Sequence, residues 1–294
     1  MYNNPKVSLI ILNWNGKEDT AECLESLKHI TYSNYEIILI DNGSTDGSVK
    51  YFQEYFPDIE IIENRENLGF AEGNNVGIRR AIGKSADYVL ILNNDVIVDP
   101  EFLNKMIEVA ENNKLAGAIG SKIYHYYDPE IIDRPNKKIN LWTGNFRIFT
   151  SIKDNGNDDK AEEVGCITGC CMLIKTQLIK EIGGFDPEYF LYWEETDLCI
   201  RITKYGYKII YVPKAKIWHK IESSGGSRTS YYYYGRNIFR FMKKNANKCQ
   251  KTFFLFFYLT FSFWINCSVI IFKHRNIPAF VSYLKGTVDG FKQL

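Results

Sequence analysis

The chain has 294 residues with 36 Lys and Arg against 35 Asp and Glu, so its net charge of +1 gives no bulk attraction for nucleic acid and no acidic tail. That length buries one large core, or a medium domain plus an appendage, and one catalytic domain is expected. Seven cysteines (Cys23, Cys166, Cys170, Cys171, Cys199, Cys249 and Cys267) contain no Cys-x-x-Cys pair, which points to reduced, mostly buried thiols rather than zinc or disulfides.

Met1 leads through polar Asn3-Asn4-Pro5 straight into the apolar run Val7–Leu12, without the layout of a secretory signal, so a cytosolic catalytic part is expected. Strand-length runs at Val7–Leu12, Tyr35–Ile40, Ile59–Ile62 and Tyr88–Leu92 each precede a polar turn and a helical pattern. The first helix keeps Cys23, Leu24 and Leu27 on one face between Lys17 and His29. This rhythm predicts an α/β fold: an open, mostly parallel, Rossmann-like sheet with helices on both faces. In such sheets ligands bind beyond the carboxyl ends of the strands. Those ends are Asn13-Trp14-Asn15-Gly16, Asp41-Asn42-Gly43-Ser44-Thr45-Asp46-Gly47 and Asn93-Asn94-Asp95, all polar and all directed to one edge.

From about Ala116 the pattern changes to strand-like pieces with loops, including a polar Lys153–Glu163 excursion, and this half is expected to carry the acceptor side. After a helical stretch over Tyr231–Asn247, Phe253–Phe272 runs twenty residues without a charge, enough at ~1.5 Å per residue to cross a bilayer core. Lys243, Lys244, Lys248 and Lys251 precede it, and Lys273, His274 and Arg275 follow. Basic flanks on both sides select no orientation and suit an interfacial or re-entrant helix as well as a span. A buried or dimer-interface helix is the competing reading.

Three constellations carry chemistry. Asp95, at the end of the Tyr88–Leu92 strand, offers a carboxylate to a hard ion such as Mg²⁺ or Mn²⁺, which binds through one or two carboxylates plus substrate phosphates; Asn-Asn-Asp is also turn chemistry. Glu194, Glu195 and Asp197 open a helix, where acids favour the helix dipole. The preceding aromatic run Tyr189–Trp193 adds apolar surface that tunes a carboxylate as a general base and offers rings to a sugar. Trp218-His219 stands at another strand exit before Ser223-Ser224-Gly225-Gly226-Ser227-Arg228, so His219 reads either as a surface histidine or as a metal ligand. Arg228 and Arg236 are candidates for pyrophosphate oxygens, with a basic surface helix as the alternative.

Together the residues resemble the inverting family 2 glycosyltransferases of the GT-A fold, in particular the rhamnosyltransferase-like group. The resemblance spans roughly Val7 to Asn237. It rests on Val7–Gly16, Asp41–Ser48, Asn67-Leu68-Gly69-Phe70-Ala71-Glu72-Gly73-Asn74-Asn75-Val76-Gly77, Leu92–Asp95, Gly184-Phe185-Asp186 with Glu194–Arg201, and His219. It implies that Trp14 stacks on the nucleotide base and Asp41 hydrogen-bonds it, with Asn13, Ser44, Asn74, Asn93, Asn94 and Arg228 completing the donor site. Asp95 matches the last acid of the family's Asp-x-Asp metal motif, whose first aspartate is here Asn93. Glu195 falls at the catalytic-base position, flanked by Glu194 and Asp197, and His219 at the second protein ligand to Mg²⁺ or Mn²⁺.

The implied reaction is a single displacement with inversion, in which Glu195 takes the proton of an acceptor hydroxyl as the nucleoside diphosphate leaves. The donor would be a nucleotide sugar, with dTDP-rhamnose indicated by likeness, and the acceptor a glycan or lipid-linked sugar in cell-surface polysaccharide or glycoconjugate synthesis. Residues 1–228 are expected to form the catalytic domain and 229–294 a helical, membrane-associating segment holding it at the cytoplasmic face of the cell membrane. A membrane-tethered nucleotide-sugar-binding protein without catalysis is the alternative. A dinucleotide oxidoreductase is disfavoured because no Gly-x-Gly-x-x-Gly follows the first strand, and a nucleotidyltransferase because that position has no basic glycine-rich loop.

Overall fold

The computed structural model describes residues 4–135, 140–144, 149–156, 159–220 and 228–294. The first half alternates strand and helix: β1 (Val7–Asn13), α1 (Lys17–Leu27), β2 (Tyr35–Asp41), α2 (Ser48–Tyr55), β3 (Glu60–Glu63), α3 (Gly69–Gly83) and β4 (Tyr88–Asn93). A short β5 (Val96–Val98) and α4 (Phe102–Asn112) lead into the second half. There β6 (Ala116–His125), β7 (Ile131–Pro135), β8 (Phe149–Lys153), β9 (Glu162–Val164) and β10 (Cys171–Lys175) precede α5 (Thr176–Ile182), α6 (Glu194–Lys204) and β11 (Lys208–His219).

Among the described residues all these strands join one mixed sheet with the spine β3-β2-β1-β4-β10-β6-β11-β5. The strands β3, β2, β1 and β4 run parallel, β10 runs antiparallel to both neighbours, and β6 and β11 are parallel again. Successive β1 side chains enter opposite layers, as the two-residue period of a strand requires. Leu9 and Ile11 join the core under α1, α2 and α4, whereas Ile10 joins the core under α3, α5 and α6. A strand buried on both faces is expected to be mostly apolar, which accounts for the run Val7–Leu12, where the one polar residue, Ser8, donates its hydroxyl to Glu36.

Helix α3 lies close on β1 because its inner face is made of small residues: a Cβ at Gly77 would stand 2.4 Å from Ile10 Cγ2, and one at Gly73 2.6 Å from Leu12 Cδ1. Gly77→Ala is therefore expected to cost about 2 kcal/mol by overpacking, read as a lower urea midpoint with an unchanged slope.

The carboxyl end is helical. α7 (Arg228–Asn245) precedes one continuous helix, Lys248–Lys273, in which α8 (Lys248–Phe257) and α9 (Phe263–Ser268) are each followed by a π-helical turn. α10 (Ile277–Phe291) follows, with Asn276 as its N-cap. The 26-residue helix is long and apolar enough to cross a bilayer by length and composition. All seven cysteines are free, and every one except Cys249 is buried.

Candidate active site

Register gathers the polar strand ends. Asn13 pairs with Asp41 across β1 and β2, and Leu12 with Asn93 across β1 and β4. Asn13 is the hub: its Nδ2 donates to Asp41 Oδ1 (2.9 Å) and Ser44 Oγ (3.2 Å), while its Oδ1 accepts from Gly16 N (3.1 Å) and Thr20 Oγ1 (3.0 Å). Asp41 Oδ2 accepts from Ser44 N at 2.9 Å, and Asn94 Nδ2 donates to Thr20 Oγ1 at 2.8 Å. Asn13, Asp41, Ser44 and Asn94 thus form one hydrogen-bonded floor with Thr20, which the sequence reading had not singled out. At its edge Trp14 stands 56 % exposed, a ring face open to solvent.

A second cluster forms where β5 meets the end of β11. His219 pairs with Val96, placing His219 Nε2 3.2 Å from Asp95 Oδ1, and both residues are largely buried. Lys220 N donates to the Asp95 carbonyl, and its ammonium reaches back to Asp19 (2.9 Å) and Glu22 (2.8 Å) on α1, closing the strand end onto the first helix. Among the described residues no group of three or more His, Cys, Asp or Glu side chains could hold a metal. An imidazole nitrogen and a carboxylate oxygen facing each other make a two-ligand set, which suits an ion that takes its remaining ligands from diphosphate and water.

The third cluster is Glu194 and Glu195 in the first turn of α6, both buried. Each has an Oε2 without a hydrogen-bond partner among the described residues. Burial pushes the Glu195 carboxyl up to about 7, opposed by backbone N–H groups at the helix start. Burial, reinforced by the charge of Glu195, raises Glu194 well above the carboxylate range. Two adjacent buried carboxyls do not both ionise readily.

The segment Gly169-Cys170 joins this cluster to the strand ends. A Cβ at Gly169 would lie 4.0 Å from Glu195 Cβ, and the next carbonyl, Cys170 O, accepts from Asn93 N at 2.9 Å. Gly169 and Cys170 thus stand between Glu195 and the β4 terminus that leads to Asp95.

The backbone entering α6 is unusual: Phe190, Tyr192 and Trp193 have φ of +66°, +67° and +78°. Non-glycine residues in that region cost about 1–3 kcal/mol each and persist only where their surroundings hold them. Here every carbonyl from Glu188 to Trp193 is engaged. The Arg236 guanidinium donates to Glu188 O (2.6 Å) and Tyr189 O (3.0 Å). Phe190 O accepts from Phe70 N and Ala71 N at the start of α3, and Trp193 O from Asp197 N. The single Asn237 amide, fully buried on α7, donates to Tyr189 O (2.8 Å), Leu191 O (2.8 Å) and Tyr192 O (3.0 Å). Rings of α7 pack on the same loop, Tyr233 stacking on Phe190 at 4.8 Å and Phe241 meeting Trp193 at 5.1 Å.

Asp197, Asn74 and Arg236 are held by partners that their sequence context does not reveal. Asp197 is no catalytic group: fully buried, its carboxylate is bound by Arg201 (2.9 Å), Lys244 (3.0 Å), Asn245 (3.0 Å) and the Tyr189 hydroxyl, tying α6 to α7. Asn74 is fully buried within α3, its amide donating to Phe70 O and its Oδ1 without a hydrogen-bond partner among the described residues. Arg236 is committed to the loop carbonyls and stacks on Tyr233, so it is not available to a diphosphate. Arg228 is exposed at the start of α7, and the Ser223–Ser227 stretch before it lies outside the described residues. Asn237 was missed because an asparagine inside an aromatic helical run carries no motif, and its partners are about fifty residues away.

The sequence profile of Glycosyl transferase family 2 matches residues 8–183, more than half of the chain. The chain belongs to that family. It is therefore an inverting glycosyltransferase. The family 2 enzyme is 28% identical over 237 residues to the N-acetylglucosaminyl-diphospho-decaprenol L-rhamnosyltransferase of Mycobacterium tuberculosis, covering 71% of this chain and 74% of that protein. It is 25% identical over 201 residues to the low-salt glycan biosynthesis hexosyltransferase Agl10 of Haloferax volcanii, covering 66% and 61% of the two chains. Among solved structures it superposes on the mannosyltransferase PcManGT of Pyrobaculum calidifontis, in complex with GDP-Man and Mn²⁺, with a TM-score of 0.61 at 15% identity over 99% of this chain and 88% of that one. The glycosyltransferase thus has the GT-A fold.

Proposed function

We propose that this glycosyltransferase moves a deoxyhexose, with dTDP-rhamnose as the favoured donor, from a nucleoside diphosphate to a lipid-linked glycan at the cytoplasmic face of the membrane. The rhamnosyl transfer to a polyprenyl-diphosphate sugar named for the mycobacterial relative supports donor and acceptor class. Residues 1–228 carry catalysis and 229–294 hold the enzyme to the membrane, with α7 as the joint.

The observation that carries the reading is Glu195: a buried carboxylate near neutral pKa, with one oxygen unengaged, beside Gly169, whose neighbour Cys170 bonds the β4 end. A base is most effective when its pKa lies near the working pH. Glu195 takes the acceptor hydroxyl's proton onto Oε2 as that oxygen attacks the anomeric carbon, the bond to the diphosphate breaks, and configuration inverts. Glu194, kept neutral by burial beside it, leaves the single negative charge on Glu195. Trp14 offers its open face to the base and Asp41 accepts from it, on the floor set by Asn13, Ser44 and Asn94. Asn93 lies toward the ribose and Arg228 toward the diphosphate. Asp95 and His219 would hold Mg²⁺ or Mn²⁺, which when bound offsets charge developing on the leaving diphosphate. The crystallised mannosyltransferase holds Mn²⁺, which supports a divalent ion here.

The test is a panel of UDP-, dTDP- and GDP-sugars with and without Mn²⁺, reading nucleotide release with a lipid-linked acceptor. The expected outcome is turnover with dTDP-rhamnose that requires the ion; turnover with UDP- or GDP-sugars alone would reassign the donor. In the same assay His219→Gln is expected to raise the Mn²⁺ concentration for half-maximal rate by on the order of tenfold or more, as loss of even an outer-shell metal partner does. An unchanged metal dependence would remove His219 from the site.

A further inference from the structure

The near-neutral total conceals a segregation of charge. Residues 228–294 contain eleven Lys and Arg against one acid, Asp289, leaving 25 basic against 34 acidic side chains in residues 1–227. The acidic catalytic part thus carries a strongly basic helical appendage.

Within that appendage the long helix has two unlike faces. The inner face is held by protein along its length. Phe254 and Tyr258 pack on Phe239 of α7, the Tyr258 hydroxyl bonds those of Tyr283 (2.8 Å) and Thr287 (3.1 Å) on α10, and Asn266 donates to Tyr283 (3.0 Å). Cys267 and Ile270 close on Ala279. α10 is in turn locked backbone to backbone on α7: a Cβ at Gly286 would collide with Tyr232 O, and one at Gly290 would stand 2.5 Å from Arg236 O. The outer face is apolar and uncovered, with Phe256 61 % exposed, Trp264 62 % and Phe272 77 %, beside Phe253, Phe261 and Ile265. α10 adds its own exposed stripe of Ile277, Val281, Val288 and Phe291.

We infer that the hairpin of the Lys248–Lys273 helix and α10 lies in the plane of an anionic bilayer surface and does not span it. This rests on the membrane attachment proposed above and decides its geometry. A span would carry the helix's companions into hydrocarbon with it: Lys285 and Asp289 on α10, and Arg240, Lys243 and Lys244 on α7. Each such charge is strongly disfavoured at the bilayer centre. Lying flat, the helix buries its outer aromatic face at the acyl boundary, while Lys248 and Lys251 at one end and Lys273 and Arg275 at the other meet anionic headgroups. Basic groups at both ends of an apolar stripe, with no acid before Asp289, complement an anionic lipid layer rather than a second copy of the same basic surface.

The test uses the full chain with sealed vesicles of phosphatidylglycerol or phosphatidylcholine. The protein is expected to sediment with the former and to bind the latter at least about tenfold more weakly, because its basic side chains are attracted to an anionic surface. The double variant Phe256→Ser, Trp264→Ser is expected to lose more than about tenfold in binding, with an unchanged melting curve because both side chains face solvent. For geometry, Arg275→Cys is reacted with a membrane-impermeant maleimide, Cys249 serving as the exposed thiol at the other end of the helix. Both thiols are expected to react from outside the intact vesicle. A residue-275 thiol that reacts only after detergent overturns the in-plane geometry alone. Equal binding to both lipids overturns the anionic preference, and no sedimentation at all overturns membrane attachment itself. None of these outcomes bears on sugar transfer.

Discussion

Glu195→Gln is expected to lower sugar transfer by about 10³-fold while leaving donor affinity within about twofold, since removal of a general base costs on the order of 10²–10⁴ and the floor that would hold the nucleotide does not include this side chain. Isothermal titration with the nucleotide and a turnover assay separate the two effects, and undiminished turnover would withdraw Glu195 as the base. The pH profile follows from the same group. With the carboxyl raised to about 7 by burial, the rate of the unaltered enzyme falls tenfold per unit below that pH, and this limb is absent from the residual rate of the variant. Stability moves the opposite way. The folded carboxyl is raised above its unfolded value of 4.5, so the native state binds the extra proton between these two values. Stability therefore falls as pH rises through that window, and the cost of the buried charge is complete above it. Glu195→Gln is expected to melt higher than the parent at pH 8 and much like it at pH 4.5.

Asn237→Ala is expected to reduce kcat by about 10²-fold with little change in donor affinity, although Asn237 touches no part of the proposed reaction centre. One amide holds three carbonyls of a loop whose left-handed residues lead directly into Glu194 and Glu195. Leu191 O and Tyr192 O lose their donor, at about 1–3 kcal/mol for each carbonyl left buried and unpaired, while Tyr189 O keeps Arg236, so the loop is expected to relax toward ordinary backbone and swing the carboxyl away from the β4 end. Asn237→Asp is the sharper test, because it keeps the shape and removes both donors. A purely structural role would lower the melting temperature and leave kcat per folded molecule intact; a positioning role lowers kcat, and the acid limb near pH 7 shifts with it.

The sheet was legible from the sequence because hydrophobic period is a local property. Val7–Leu12, with only Ser8 polar, and Tyr88–Leu92 are apolar runs as strands buried on both faces require, and each ends where polarity resumes. The convergence of Asn13, Asp41 and Asn93 follows from parallel pairing of equal-length runs, so the polar floor could be placed before any coordinates. The same reasoning misjudged Asp197: three acids within four residues look alike in a list, and only the approach of Lys244 and Asn245 from α7 distinguishes an ion-paired anchor from the carboxyls beside it. It likewise could not see that Arg236 is spent on loop carbonyls, that Asn74 is buried within α3, or that β5 swings Asp95 against His219 across more than a hundred residues. The near-zero net charge concealed the basic appendage, and composition alone could not say which face of the long helix was already taken by Tyr283 and Ala279. What the sequence by itself determined was thus the sheet, its polar edge and the family to which that edge belongs. Tertiary structure decided which carboxylate is free, what holds its backbone in place and which face of the long helix is left exposed, because burial, pKa and side-chain partnership depend on residues distant in the chain.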